Sequence, residues 1–177
     1  MKNRFLLALF TLLLVCNSCY RQKQHDGNTN PALLKDPLIN VNKKLVKNED
    51  LKINEYIQRH KWSMTTTGTG LRFFIYKKGN GEKAEIGKIA RIAYSVHLMS
   101  GELCYTSDDL GCKEFLIGRG GVESGIEEGI LLLRLGERAK FIIPSHLAFG
   151  LVGDGDKIPP KATLIYDIEL VELKENQ

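Results

Sequence analysis

VESGIEEGILLLRLGERAKFIIP, residues 122–144, changes period midway. Over 125–133 the apolar residues Ile126, Ile130 and Leu133 fall at i, i+4 and i+7, the spacing of one helical face. Gly125 and Gly129 lack side chains, so this helix is expected to approach a sheet closely. Residues 138–144 then read as a strand.

Downstream, Leu164, Tyr166 and Ile168 alternate with Ile165, Asp167 and Glu169, which predicts a strand over 163–173. Upstream, 71–76, 89–98 and 113–117 are short apolar runs of the same kind. The connections are marked by turn signals near Gly79, Gly101, Gly118 to Gly121 and Gly153. Strands joined mainly by turns and interrupted by one apolar helix predict an α+β domain over 63–177, an antiparallel sheet wrapped around one short helix. No internal repeat is visible. Ahead of it, 45–62 contains no Gly or Pro and puts Val46, Ile53 and Ile57 on one face, which predicts a short amphipathic helix. It is expected to pack on the domain or to serve as a dimerisation arm.

The start of the chain differs from the rest. Lys2 and Arg4 precede an unbroken apolar run over 5–15, too short to span a bilayer and suited to the core of a signal peptide over 1–18. Cys16 and Cys19 have CxxC spacing but open no βαβ unit, so redox chemistry is disfavoured. Residues 19–44, polar and interrupted by Pro31 and Pro37, are expected to form a flexible tether. The net charge of +4 falls to +2 once Lys2 and Arg4 are removed, which argues against nucleic acid as a partner.

Several chemistries lack their residues. His60, His97 and His146 never stand at metal-ligand spacing with a cysteine or carboxylate, so no metal is expected. Gly79-Asn80-Gly81 lacks the lysine and strand-to-helix setting of a phosphate loop, and GDGDK, residues 153–157, has too few spaced carboxylates for calcium. No nucleophile constellation is present, and no cofactor is expected. Cys104 and Cys112 flank a short turn, and a disulfide between them stays open at this stage.

From Gly79 onward the chain resembles the FKBP-type peptidyl-prolyl cis-trans isomerases. The resemblance rests on residues 122–144, on HLAFG (146–150) and on KIPPKATLIYDIELVEL (157–173). HKWSMTTTGTGLRF (60–73), CYTS (104–107) and GLVGDGDKIPP (150–160) more closely resemble its gliding-motility-associated lipoproteins. CNSC, residues 16–19, is similar to a lipoprotein signal, with Ser18 before a Cys19 that would be lipidated. Cys16 stands where leucine is usual. Tyr20 is not the aspartate associated with inner-membrane retention, which implies an outer-membrane lipoprotein facing the periplasm.

The resemblance implies isomerisation of proline-containing polypeptides without acid, base, metal or cofactor. It implies catalytic positions at Tyr94, Tyr105, Ile126, Phe149 and Tyr166, and substrate contacts from Cys104, Val122, Glu123 and Ile158, with Glu123 and Ile158 acting mainly through backbone N–H groups. Cys104 stands where the family has phenylalanine, Tyr105 where it has aspartate, Ile126 where many members have tryptophan, and Phe149 where they have tyrosine. Lys113 and Lys157 add charge at the expected rim. Restoring a carboxylate at 105 is expected to raise turnover or leave it unchanged.

Overall fold

The computed structural model describes residues 31–176, with side chains from Ile39 onward. The leader 1–18, Cys19 and the first part of the tether lie outside the described residues. The chain divides into units 1–41 and 42–177, and the second contains every strand and all the predicted site residues of the domain. Among the described residues no helix is long and apolar enough to cross a membrane.

Helix α1 spans Pro31–His60, so residues 31–44, expected to be a tether, are helical. Pro31 sits in the first turn, where proline is tolerated, whereas Pro37 lies inside the helix at the cost of one backbone hydrogen bond; extending a helix from an anchored segment costs far less than nucleating one. Seven strands follow: β1 (Thr65–Thr66), β2 (Arg72–Lys77), β3 (Ile89–Leu98), β4 (Leu103–Thr106), β5 (Lys113–Leu116), β6 (Arg138–Ile143) and β7 (Leu164–Lys174). Helix α2 (Ser107–Leu110) is one turn, N-capped by the Thr106 hydroxyl, which accepts from the Asp108 N–H at 3.2 Å. Helix α3 (Ser124–Ile130) stands where the apolar period predicts it, and a 3-10 turn covers Ser145–Leu147.

The strands form one antiparallel sheet in the order β1-β2-β6-β7-β3-β4, with β5 sharing the outer edge of β3. β5 pairs with the first half of β3 and β4 with the second. β4 carries the two wall candidates and has no apolar alternation of its own; a four-residue strand at a sheet edge leaves little periodic signal.

Period 2 divides β6 and β7 between two faces. Ala139, Phe141 and Ile143 join Leu164, Tyr166, Ile168 and Leu170 in the main core, into which α3 sends Ile126 and Ile130. The two helix glycines allow that approach: a Cβ at Gly125 would lie 2.4 Å from Ile143 Cγ2, and one at Gly129 2.8 Å from Phe141 Cε2. On the opposite face Ile142 and Ile165 meet Ile53 and Tyr56 of α1, with Ile57, Trp62, Met64 and Met99 around them. Burying Ile53 completely contributes about 1.5–3 kcal/mol. Val46, expected on the same face, is 49% exposed, because α1 meets the sheet only over its C-terminal half.

Candidate active site

Eight of the predicted site residues converge on the main core. Cys104, Ile126, Ile158 and Tyr166 are buried in it, and Tyr94, Tyr105, Val122 and Phe149 are half-buried against it. They arrive from five places in the chain. Tyr94 continues the inward set of Ala90 and Ile92 on β3, and Tyr166 that of Leu164 and Ile168 on β7. Their rings are tilted by 37° with centroids 6.4 Å apart. Val122 and Ile126 come from α3 and its approach, Phe149 and Ile158 from the connection between β6 and β7. Cys104 and Tyr105 are adjacent in sequence yet both reach the core, because the β3–β4 pairing shifts register there: Val96 faces Tyr105 and His97 faces Leu103. Cys104 is the residue left over, and such a bulge turns a side chain that would otherwise face outward.

The ninth candidate does more than its backbone role implies. Glu123 is nearly buried, its side chain 9% exposed, and Oε1 accepts the Tyr166 hydroxyl at 2.8 Å. Oε2 lies 3.9 Å from Lys113 Nζ. Burial, then the charge of Glu123, pushes the Tyr166 hydroxyl far above its usual range, so it stays protonated and donates. Burial, reinforced by Glu123, also raises Tyr94. A carboxylate therefore lies among the predicted site residues, although Tyr105 stands where the resemblance implies an aspartate. The Glu123 N–H, just ahead of α3, donates to no group among the described residues.

Tyr105 serves the loop that follows. Its hydroxyl donates to Asp154 Oδ2 at 2.5 Å and lies 3.3 Å from Asp156 Oδ2, while Lys157 Nζ sits 5.2 Å from its ring centre. The hydrogen bond to Asp154, then burial, moves the Tyr105 hydroxyl up to about 12. Asp154 Oδ1 accepts the N–H groups of Asp156 at 2.9 Å and Ile158 at 2.8 Å. Burial would raise Asp154, but the bonds from Tyr105 and these N–H groups outweigh it and hold the carboxyl below its usual range. Two expectations change as a result. The Ile158 N–H is committed to Asp154 and is not the free donor the resemblance implies, while the Ile158 side chain is buried in the core. A carboxylate at 105 would face Asp154 and Asp156, so Tyr105→Asp is now expected to loosen the loop and lower turnover.

Asp154 and the Glu123 carboxylate were missed in the sequence. The signal for Asp154 was present in Asp-Gly-Asp, since an aspartate before a turn commonly accepts the N–H two residues on. Glu123 carried none, because its partner is 43 residues away. Both body cysteines are free thiols: Cys104 is buried, with Sγ 3.8 Å from the Lys157 carbonyl oxygen, and Cys112 is exposed. Among the described residues no group of three or more His, Cys, Asp and Glu could hold a metal ion. A separate groove of about 900 Å³ runs between α1 and the β6–β7 connection and contains none of the nine candidates.

The predicted residues thus form an aromatic and aliphatic cluster with one carboxylate–tyrosine pair and, at Glu123, a backbone N–H that has no partner among the described residues. The model of the FKBP-type peptidyl-prolyl cis-trans isomerases matches residues 80–171. The chain belongs to that family of isomerases. It is 38% identical over 109 residues to a probable FKBP-type peptidyl-prolyl cis-trans isomerase, FkpA, of Neisseria meningitidis, covering 61% of this chain and only 39% of that protein. It is 41% identical over 90 residues to FK506-binding protein 2 of Dictyostelium discoideum, covering 50% of this chain and 68% of that one. The crystal structure of FkpA from Escherichia coli aligns over 99% of this chain and 83% of its own, with a TM-score of 0.63 and 24% identity, a likeness of fold alone.

Proposed function

We propose that this chain isomerises X-Pro bonds in exported polypeptides, working from a lipid anchor at Cys19. The observation that carries the catalytic part is the convergence of Tyr94, Ile126, Phe149, Ile158 and Tyr166 on one apolar core beside the free Glu123 N–H. Rotation about a peptide bond crosses about 18–20 kcal/mol. The planar amide is more dipolar than the twisted one, so a cleft that excludes water disfavours the planar form relative to the transition state. A million-fold acceleration needs roughly 8 kcal/mol of that difference. The Glu123 N–H suits the carbonyl of the bound peptide, while the Tyr166–Glu123 bond contributes to the stability of the surrounding core.

Phe149 is the side chain whose loss should open the wall with least damage to the core. Phe149→Ala is expected to lower catalysis of proline-limited refolding while circular dichroism stays that of wild type; a folded variant with undiminished activity contradicts the proposal. The second proposal is a non-catalytic proline-peptide binding or chaperone module of an envelope assembly such as a gliding-motility apparatus, favoured by the small Cys104 in the wall. Wild type that binds X-Pro peptides without isomerising them would select it.

The anchor, an outer-membrane location facing the periplasm and a homodimer through α1 complete the proposal. The charged start, the apolar run and Ser18-Cys19 support the anchor. Exposed Leu45, Val46 and Leu51 on α1 support the dimer. Mass spectrometry of the mature N-terminus and sedimentation of the mature chain test them.

A further inference from the structure

We infer that Glu49 of α1 is a positioning residue for the prolyl pocket, clasping both ends of the loop that forms its wall. That loop, residues 144–163 between β6 and β7, carries Phe149, Asp154 and Ile158. Glu49 Oε1 accepts the Ser145 N–H at 2.7 Å and the Thr163 hydroxyl at 2.7 Å, and Oε2 accepts the Ser145 hydroxyl at 3.0 Å. One half-buried carboxylate thus bonds the second residue of the loop and its last, and Thr163 is 7% exposed. Charge-assisted bonds of this kind are stronger and shorter than neutral ones, which suits a clasp rather than a loose surface contact.

Within the loop, further bonds pass the constraint toward the pocket. The Gly150 N–H donates to the Ser145 oxygen at 2.8 Å, and the Gly150 oxygen accepts the Lys161 N–H at 2.8 Å. Gly150 follows Phe149 directly, so the Phe149 backbone is tied to both segments that Glu49 holds. Ser124, at the start of α3, donates its hydroxyl to the Leu147 oxygen at 3.2 Å, joining the same turn to the helix that supplies Ile126. A long connection with only one short 3-10 turn is entropically costly to hold in one shape, and fixing its two ends restricts the residues between them. Glu49 lies outside residues 80–171, where the family model matches, so a helix contributed by this chain's own N-terminal extension becomes part of the isomerase unit.

The inference rests on the proposed isomerase function, and its test separates the two. Kinetics on a short Leu-Pro peptide, and the affinity of that peptide by NMR titration, would be measured for the full chain and for Glu49→Ala, Glu49→Gln, Thr163→Val and Glu49→Ala/Thr163→Val. Trp62 packs where α1 meets the sheet and is the sole tryptophan of the chain, so its emission reports docking of the helix. Glu49→Ala is expected to lower kcat/KM about tenfold, mainly through KM, with Trp62 emission unchanged and Ser145 amide exchange accelerated. Glu49→Gln, which keeps one acceptor oxygen, should recover part of the loss, and the double variant should be no worse than Glu49→Ala alone.

Unchanged kcat/KM in folded Glu49→Ala, or a loss that follows Trp62 emission, would overturn the clasp and leave the isomerase function standing. If wild type binds the peptide without turning it over, the function fails and the same variants are judged on affinity. If wild type neither binds nor isomerises, both fail.

Discussion

Tyr166→Phe separates the two ways in which the pocket's polar pair could act. The substitution keeps the ring in the core and deletes the hydroxyl that donates to Glu123 Oε1 at 2.8 Å. Tyr166 is 5% exposed and the Glu123 side chain 9%, so water cannot readily replace the bond. A hydrogen bond to a charged group contributes about 1.5–3 kcal/mol, and Lys113 Nζ, 3.9 Å from the other carboxylate oxygen, keeps the cost near the middle of that range. A loss of about 2 kcal/mol corresponds to roughly 6–10 °C in Tm for a folded unit of this size. Because the hydroxyl stays protonated and the pocket is proposed to work by excluding water, kcat/KM well below the transition should stay within about threefold of wild type. Thermal melts and urea titrations give the first quantity, peptide kinetics the second. Glu123→Ala and the double variant complete a cycle whose coupling should match the bond. A fall in kcat/KM of about a hundredfold in the folded protein, with little change in Tm, would show the hydroxyl acting on the substrate and refute the account.

Tyr105→Asp should lower both Tm and kcat/KM by setting a third carboxylate against Asp154 and Asp156, and refolding kinetics together with melts check it. Asp154 has a native pKa below its usual 3.8, so its contribution is fully present above about pH 4 and is lost as pH falls through the depressed native value. The stability gap between wild type and Asp154→Asn, followed by urea titration from about pH 6 to about pH 2, should therefore shrink toward the acid end. Native alkylation should label Cys112 quickly and Cys104 only on unfolding, since Cys104 is 2% exposed and burial raises its thiol; equal labelling rates would contradict the packing. Gly129→Ala should destabilise by about 1–3 kcal/mol in denaturant titrations, because the new methyl meets the Phe141 ring.

Short-range patterns settled what the sequence alone could determine. The period of Ile126 and Ile130 marked α3, and alternation placed Tyr166 inward on β7, because helical and pleated spacing are local properties of the backbone. Motifs in 122–150 and 157–173 brought the family and, with it, five of the eight residues that converge on the core: Val122, Ile126, Phe149, Ile158 and Tyr166. Tertiary structure decided what depends on partners far along the chain. The bulge that turns both Cys104 and Tyr105 to the core comes from pairing with β3, and α1 lies across the outer face of the sheet because Ile53 and Tyr56 find Ile142 and Ile165 there. The roles of Glu49, Glu123 and Tyr105 rest on hydrogen bonds to residues 43–114 positions away. Such bonds leave no periodic trace, since a polar side chain looks the same in sequence whether it meets water or a buried donor.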